Sequence, residues 1–220
     1  NKDRLKKLKD IGCARMSFGL EHGNQEYRRK YLKRNMPNEV IVKGLQLTKE
    51  VGIPFSINNI IGFPYETYEL AFDTVRINRE FDADDRNAYS FTPFAGTPLR
   101  DECEKLGFVK KADIARSIVA DASILDMPQF PRKQVEGLVK TFNLYVKFPE
   151  SRWPEIKKAE EETPEATHIY SELKQEFIEK YWNQDSASFE ASSNVSKPIP
   201  ASLLPVNESG THRGRGLKEG

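Results

Sequence analysis

The sequence predicts an α/β chain in which parallel strands alternate with helices, followed by a helical carboxyl-terminal region. Apolar segments of strand length, Cys13 to Leu20, Pro54 to Ile61 and Asn87 to Phe91, are separated by segments of helical periodicity. That order requires parallel βα crossovers rather than a sandwich. Each strand also ends in a turn suited to a ligand: Ser17-Phe18-Gly19-Leu20-Glu21, Ile60-Ile61-Gly62-Phe63-Pro64-Tyr65-Glu66-Thr67 and Thr92-Pro93-Phe94-Ala95-Gly96-Thr97-Pro98-Leu99. From Gly96 onward no further strand pattern is found. Such units make half of a six-fold or eight-fold barrel, or the middle of an open sheet, and both gather ligands at the carboxyl ends of their strands.

The elements follow in order. Leu5, Leu8 and Ile11 recur at helical spacing from Asn1, so the chain is expected to start within a domain. Gly12 ends that helix, and the first strand runs to Leu20. A basic helical run spans Gln25 to Lys33, its charges read as a solvated face. Asn38 is the expected N-cap of a helix from Glu39 to Val51, with Gly52 as its terminator. After the second strand, a helix from Glu66-Thr67 to about Phe81 carries Leu70, Thr74, Ile77 and Phe81 on one face. Pro98 to Leu106 is a short helix, and Lys110 to Ile124 a mixed one. Lys133 to Lys147 aligns Val135, Leu138, Val139, Phe142 and Tyr145, and Thr163-Pro164 opens a helix carrying Ile169, Leu173, Phe177 and Tyr181. The expected divisions are 1–108 for the strand-bearing part, 109–183 for the helical region and 184–220 for a disordered tail of Ser, Asn, Pro and Gly. A half barrel leaves two edge strands unpaired.

Composition narrows the function. A net charge of +1 over 220 residues gives no general pull toward nucleic acid, and none is expected as a partner. No membrane span or signal peptide is readable. Cys13 and Cys103 lie in different elements, so neither a disulfide framework nor a clustered metal site follows from them, and a reducing cytoplasm is the expected location.

Together, Gly19-Leu20-Glu21-His22-Gly23-Asn24, the run from Arg28 to Arg34, Ile60 to Thr67 and Pro93 to Leu99 resemble the second half of a radical S-adenosylmethionine (SAM) domain. They are most similar to the branch with a cobalamin-binding domain ahead of the barrel. The resemblance implies the carboxyl-terminal half of a partial (β/α)6 TIM-type barrel. It also implies an enzyme that uses SAM and a 4Fe-4S cluster to generate a 5′-deoxyadenosyl radical, with cobalamin as a further cofactor if such an upstream domain is present. A small-molecule substrate and a donor such as flavodoxin or ferredoxin follow with it.

The resemblance implies no catalytic residue by position, but it implies a SAM cradle. Ser17 and Glu21 would meet the ribose hydroxyls or the methionine amine, and Arg34, with Lys33 as its neighbouring candidate, the methionine carboxylate. Asn58 or Asn59 would reach the ribose or the substrate, according to which faces inward. Gly62 and the backbone of Ser90, Phe91 and Thr92 would border the adenine. The family's Cys-x3-Cys-x2-Cys loop is missing from these residues, so the cluster ligands are expected upstream. Tyr65 stands where the family commonly has glycine. His22 is either a substrate acid or base or a solvent-facing loop residue. The competing reading is a non-catalytic half barrel that binds a partner through its helices.

Overall fold

The structure, a computed structural model, describes residues 1–114 and 123–182. The element order is α1 (Lys2–Asp10), β1 (Met16–Glu21), α2 (Gln25–Tyr31), α3 (Asn38–Val51), β2 (Phe55–Ile61), α4 (Tyr68–Asn78), β3 (Asp85–Ser90), α5 (Pro98–Lys105), α6 (Arg132–Lys147), α7 (Trp153–Ala159) and α8 (Pro164–Phe177). The strands form one parallel sheet with β2 in the centre. This is the predicted α/β alternation, with β1 starting at Met16 rather than Cys13.

Local chemistry explains the helix starts. The hydroxyls of Thr67, Thr97 and Thr163 accept from the N–H groups of Leu70, Arg100 and Ala166, and proline follows Thr97 and Thr163 at the first helical position. Asn38 does not cap α3. It is the first helical residue after Pro37, and its amide is drawn elsewhere: Oδ1 accepts from Arg28 Nη2 at 2.5 Å and Nδ2 donates to Gly23 O at 3.0 Å. Arg28, expected on a solvated face, is buried and also donates to the carbonyls of His22, Gly23 and Met36. A buried guanidinium needs acceptors, and the turn between α2 and α3 is folded around it to supply them.

The sheet has two unlike faces. On one, Leu20, Phe55 and Ile57 pack with Val42, Leu45, Ile77 and Phe81, while Ile61 and Ala88 join Phe72, Val75, Phe142 and Tyr145 in a cluster that reaches α8. On the other, Asn58 Nδ2 donates to Ser17 Oγ and Asn87 Nδ2 donates to Asn58 Oδ1, each at 3.1 Å, a polar row spanning all three strands.

The margins differ as well. Beyond β3, α6 packs against the strand, and Asn143 Nδ2 donates to the Arg86 carbonyl at 3.1 Å, so the expected open edge there is covered. Beside β1 lies a groove of about 660 Å³ bordered by Phe18, Leu20, Val40 and Ile41. The helix expected over Lys110 to Ile124 falls mostly on 115–122, outside the described residues, and its described flanks are not helical; the expected tail also lies outside them. Among the described residues no helix is long and apolar enough to cross a membrane.

Candidate functional site

A cleft of about 1100 Å³ opens at the carboxyl ends of the strands. It brings together Glu21, Arg34, Asn58, Ser90, Phe91 and Thr92 from the residues singled out in the sequence.

Glu21 reaches this cleft through an irregularity. Gly19 pairs with Asn58, but Glu21 pairs with Asn59, so β1 carries one extra residue, a bulge of the kind that re-aims side chains at strand ends. Glu21 itself takes φ +68. Its Oε1 lies 3.2 Å from Arg34 Nη2, while Arg34 Nη1 donates to Gly19 O at 2.8 Å. Burial pushes the Glu21 carboxyl above its ordinary range, and the Arg34 charge partly offsets that. One carboxylate and one guanidinium thus sit side by side at the polar end of the cleft.

Lys33 and Tyr65 share the left-handed conformation, with φ +56 and +67. Among the described residues these two and Glu21 are the non-glycine positions of positive φ, and all line the same cleft. Each costs about 1–2 kcal/mol, and such strain persists only where the surroundings over-determine it. For Tyr65 the surroundings are visible. Its ring stacks on Tyr31 with centroids 5.0 Å apart, and its hydroxyl donates to the Glu102 carboxylate, which holds the phenol up at about 12. The left-handed backbone also accounts for a position where glycine would be at ease. Phe63 and Phe91, centroids 4.8 Å apart, contribute to the cleft's apolar wall.

The remaining expected site residues lie elsewhere. Asn59 is fully buried on the opposite face, accepting from Asn78 Nδ2 at 2.8 Å and donating to Asn87 O at 3.0 Å. Adjacent strand residues point opposite ways, and Asn58 takes the cleft. Ser17 shares the polar row but does not line the cleft. Gly62 does not border it either: a Cβ there would come 2.8 Å from Val135 Cγ1. Its bare backbone admits α6, not a ligand.

Sequence reasoning missed a buried pair. His22 is neither solvent-facing nor open to a substrate; it is fully buried, stacked on Tyr27 with centroids 4.2 Å apart. Its Nδ1 accepts from Asn24 N–H at 3.0 Å, which puts the proton on Nε2, 2.9 Å from Glu66 Oε1. Glu66 Oε2 accepts from the N–H groups of Gly62 at 2.5 Å and Phe63 at 3.0 Å. The signal for half of this was present, since a glutamate a few residues beyond a glycine turn can reach back to its amides; the long-range partner left none.

The residues present do not fit an iron-sulfur cluster. Among the described residues no group of three or more His, Cys, Asp or Glu could hold a metal ion. Burial pushes the Cys103 thiol up to about 11, the reverse of what a thiolate ligand needs, and Cys13 stands apart from it in another element. The cleft does fit a zwitterionic ligand with an apolar body, through Glu21, Arg34 and the aromatic wall.

The Radical SAM superfamily profile matches residues 1–76. Over that segment the chain is similar to the radical SAM superfamily. Curated relatives include the tRNA-2-methylthio-N(6)-dimethylallyladenosine synthase of Halalkalibacterium halodurans (strain ATCC BAA-125 / DSM 18197 / FERM 7344 / JCM 9153 / C-125), 33% identical over 127 residues that make up 55% of this chain and 23% of that protein. The protein of the same name from Sulfurihydrogenibium sp. (strain YO3AOP1) is 27% identical over 105 residues, 46% of this chain and 24% of the relative. The chain therefore spans about a quarter of the length of the curated relatives it matches. Among solved structures, coproporphyrinogen III oxidase (HemN) from Escherichia coli, a radical SAM enzyme, aligns with a TM-score of 0.40 and 21% identity over 66% of this chain and 35% of that one.

Proposed function

We propose that this chain supplies the SAM cradle of a radical SAM enzyme. The observation that carries the reading is the Glu21–Arg34 pair at 3.2 Å, set in the strand-end cleft within the superfamily segment. Paired with each other, the two side chains are the complement of an amino acid zwitterion. The methionine ammonium, or the ribose hydroxyls, would take Glu21, and the methionine carboxylate would take Arg34, for which a planar guanidinium offers a two-point contact. Asn58 is in reach of the ribose, with Ser17 steadying it from behind. Phe63, Phe91 and the backbone from Ser90 to Thr92 border the adenine.

The chemistry that SAM would supply, if held at a 4Fe-4S cluster, is generation of a 5′-deoxyadenosyl radical. The cluster thiolates are assigned to residues other than these 220, and the electron to a flavodoxin or ferredoxin in the cytoplasm. A small-molecule substrate suits the cleft. A tRNA nucleoside is the second reading, favoured by the names of both curated relatives, synthases of a methylthio-modified tRNA nucleoside. Neither name mentions cobalamin, and no cobalamin step is proposed. The test is SAM binding by equilibrium dialysis in the full-length protein. Glu21→Ala and Arg34→Ala should each weaken it while the iron-sulfur absorption is unchanged; unaltered affinity in both variants refutes the cradle. Competition by tRNA against substrate turnover separates the two substrate readings.

A further inference from the structure

We infer that the buried His22–Glu66 pair is a positioning device that aims Glu21 into the cleft. Glu21 is held at φ +68 beyond a one-residue bulge, a conformation its own sequence disfavours. The next residue, His22, is held through its backbone and Nδ1: its N–H donates to Leu20 O at 2.9 Å and its Nδ1 accepts from Asn24, while its Nε2 lies 2.9 Å from Glu66 Oε1, in close contact but outside hydrogen-bond geometry. Glu66 in turn holds the amides of Gly62 and Phe63, at the end of the neighbouring strand. The pair bolts the end of β1 to the end of β2. With His22 pinned, the preceding residue has no freedom to relax out of the left-handed region. The Glu21 carboxylate is thereby kept against Arg34. The direction of the effect on the ligand rests on the SAM reading; the bolt itself does not.

Glu66→Gln is the selective probe. Its carboxamide cannot face the His22 Nε2–H and the two backbone amides with acceptors on both sides, and His22 cannot change tautomer while Nδ1 accepts from Asn24. His22→Phe keeps the stack on Tyr27 without a donor, whereas His22→Gln keeps a donor toward Glu66. Hydrogen exchange of the full-length protein without ligand reads the bolt. Faster exchange in 19–24 is expected in Glu66→Gln and His22→Phe, beyond any change in the global urea midpoint, with His22→Gln closer to the parent. Dialysis then reads the aim. SAM affinity should fall about tenfold in Glu66→Gln, and Glu21→Gln should cost less affinity in that background than in the parent. Unchanged exchange overturns the inference whatever the ligand result. Faster exchange with parental SAM affinity, in a protein where Glu21→Gln does weaken binding, reduces the pair to a structural support and also overturns it. A parent that binds no SAM refutes the proposed cradle, and the bolt then stands or falls on exchange alone.

Discussion

Gly62→Ala isolates the junction between the superfamily segment and the helices that follow it. Gly62 has φ +89, and an added Cβ would approach the Val135 side chain to 2.8 Å at Cγ1 and 3.1 Å at Cγ2. Two costs add. Holding an L-residue in the left-handed region costs about 1–2 kcal/mol, and forcing a methyl against a packed side chain about 1–3 kcal/mol. Val135 cannot swing away cheaply, because a β-branched side chain in a helix has essentially one rotamer. The reduced freedom of alanine in the unfolded chain returns about 0.4–1 kcal/mol. The expected net loss is about 2–4 kcal/mol, read in urea as a lowered midpoint at unchanged slope. In a Val135→Ala background the steric share disappears, and the same change should cost only the backbone share less the unfolded-chain return, about 0–1.5 kcal/mol. A loss below about 0.5 kcal/mol in the parent refutes the close approach. Equal losses in both backgrounds refute Val135 as the neighbour.

Asn59→Ala should lower stability by about 1–3 kcal/mol, because it strips one of the two acceptors from buried Asn78 Nδ2, leaving Thr74 O, and the side-chain donor from Asn87 O; SAM affinity should hold, and a loss of affinity would return Asn59 to the cleft. Glu21 gives a pH signature. Its folded carboxyl is raised above 4.5 by burial, so its contribution to stability is complete below that value and is lost as pH rises through the raised one. The stability difference between parent and Glu21→Gln should therefore shift against the parent across that window. SAM affinity should fall in acid at a pH above that of an ordinary glutamate, and Glu21→Gln should flatten the profile.

The elements whose chemistry is local were legible in the sequence. The cap at Thr163 and the stripe from Val135 to Tyr145 each need only a few neighbouring residues to be recognised. The inward choice between Asn58 and Asn59 was also written there: Phe55, Ile57 and Ile61 share a parity with Asn59, which assigns that asparagine to the packed face. What could not be read depends on partners far along the chain. The extra residue at Leu20 is defined only by its register against β2. His22 is buried only because Tyr27 and Glu66 arrive around it. Gly62 looked like a ligand approach because a turn glycine serves a ligand or a packed helix equally well, and Val135 decides between them.

The unlike margins of the sheet give it a polarity. With Asn143 occupying a carbonyl of β3 and α6 laid against that strand, no further strand can be taken up there without displacing a helix from the core. At β1 the apolar groove beside Phe18 and Leu20 presents no such stop. Among the described residues, the margin that no helix of this kind covers is the one next to the bulged end that carries Glu21. A strand added at that margin would lie beside the Glu21 carboxylate and border the cleft as it extends the sheet.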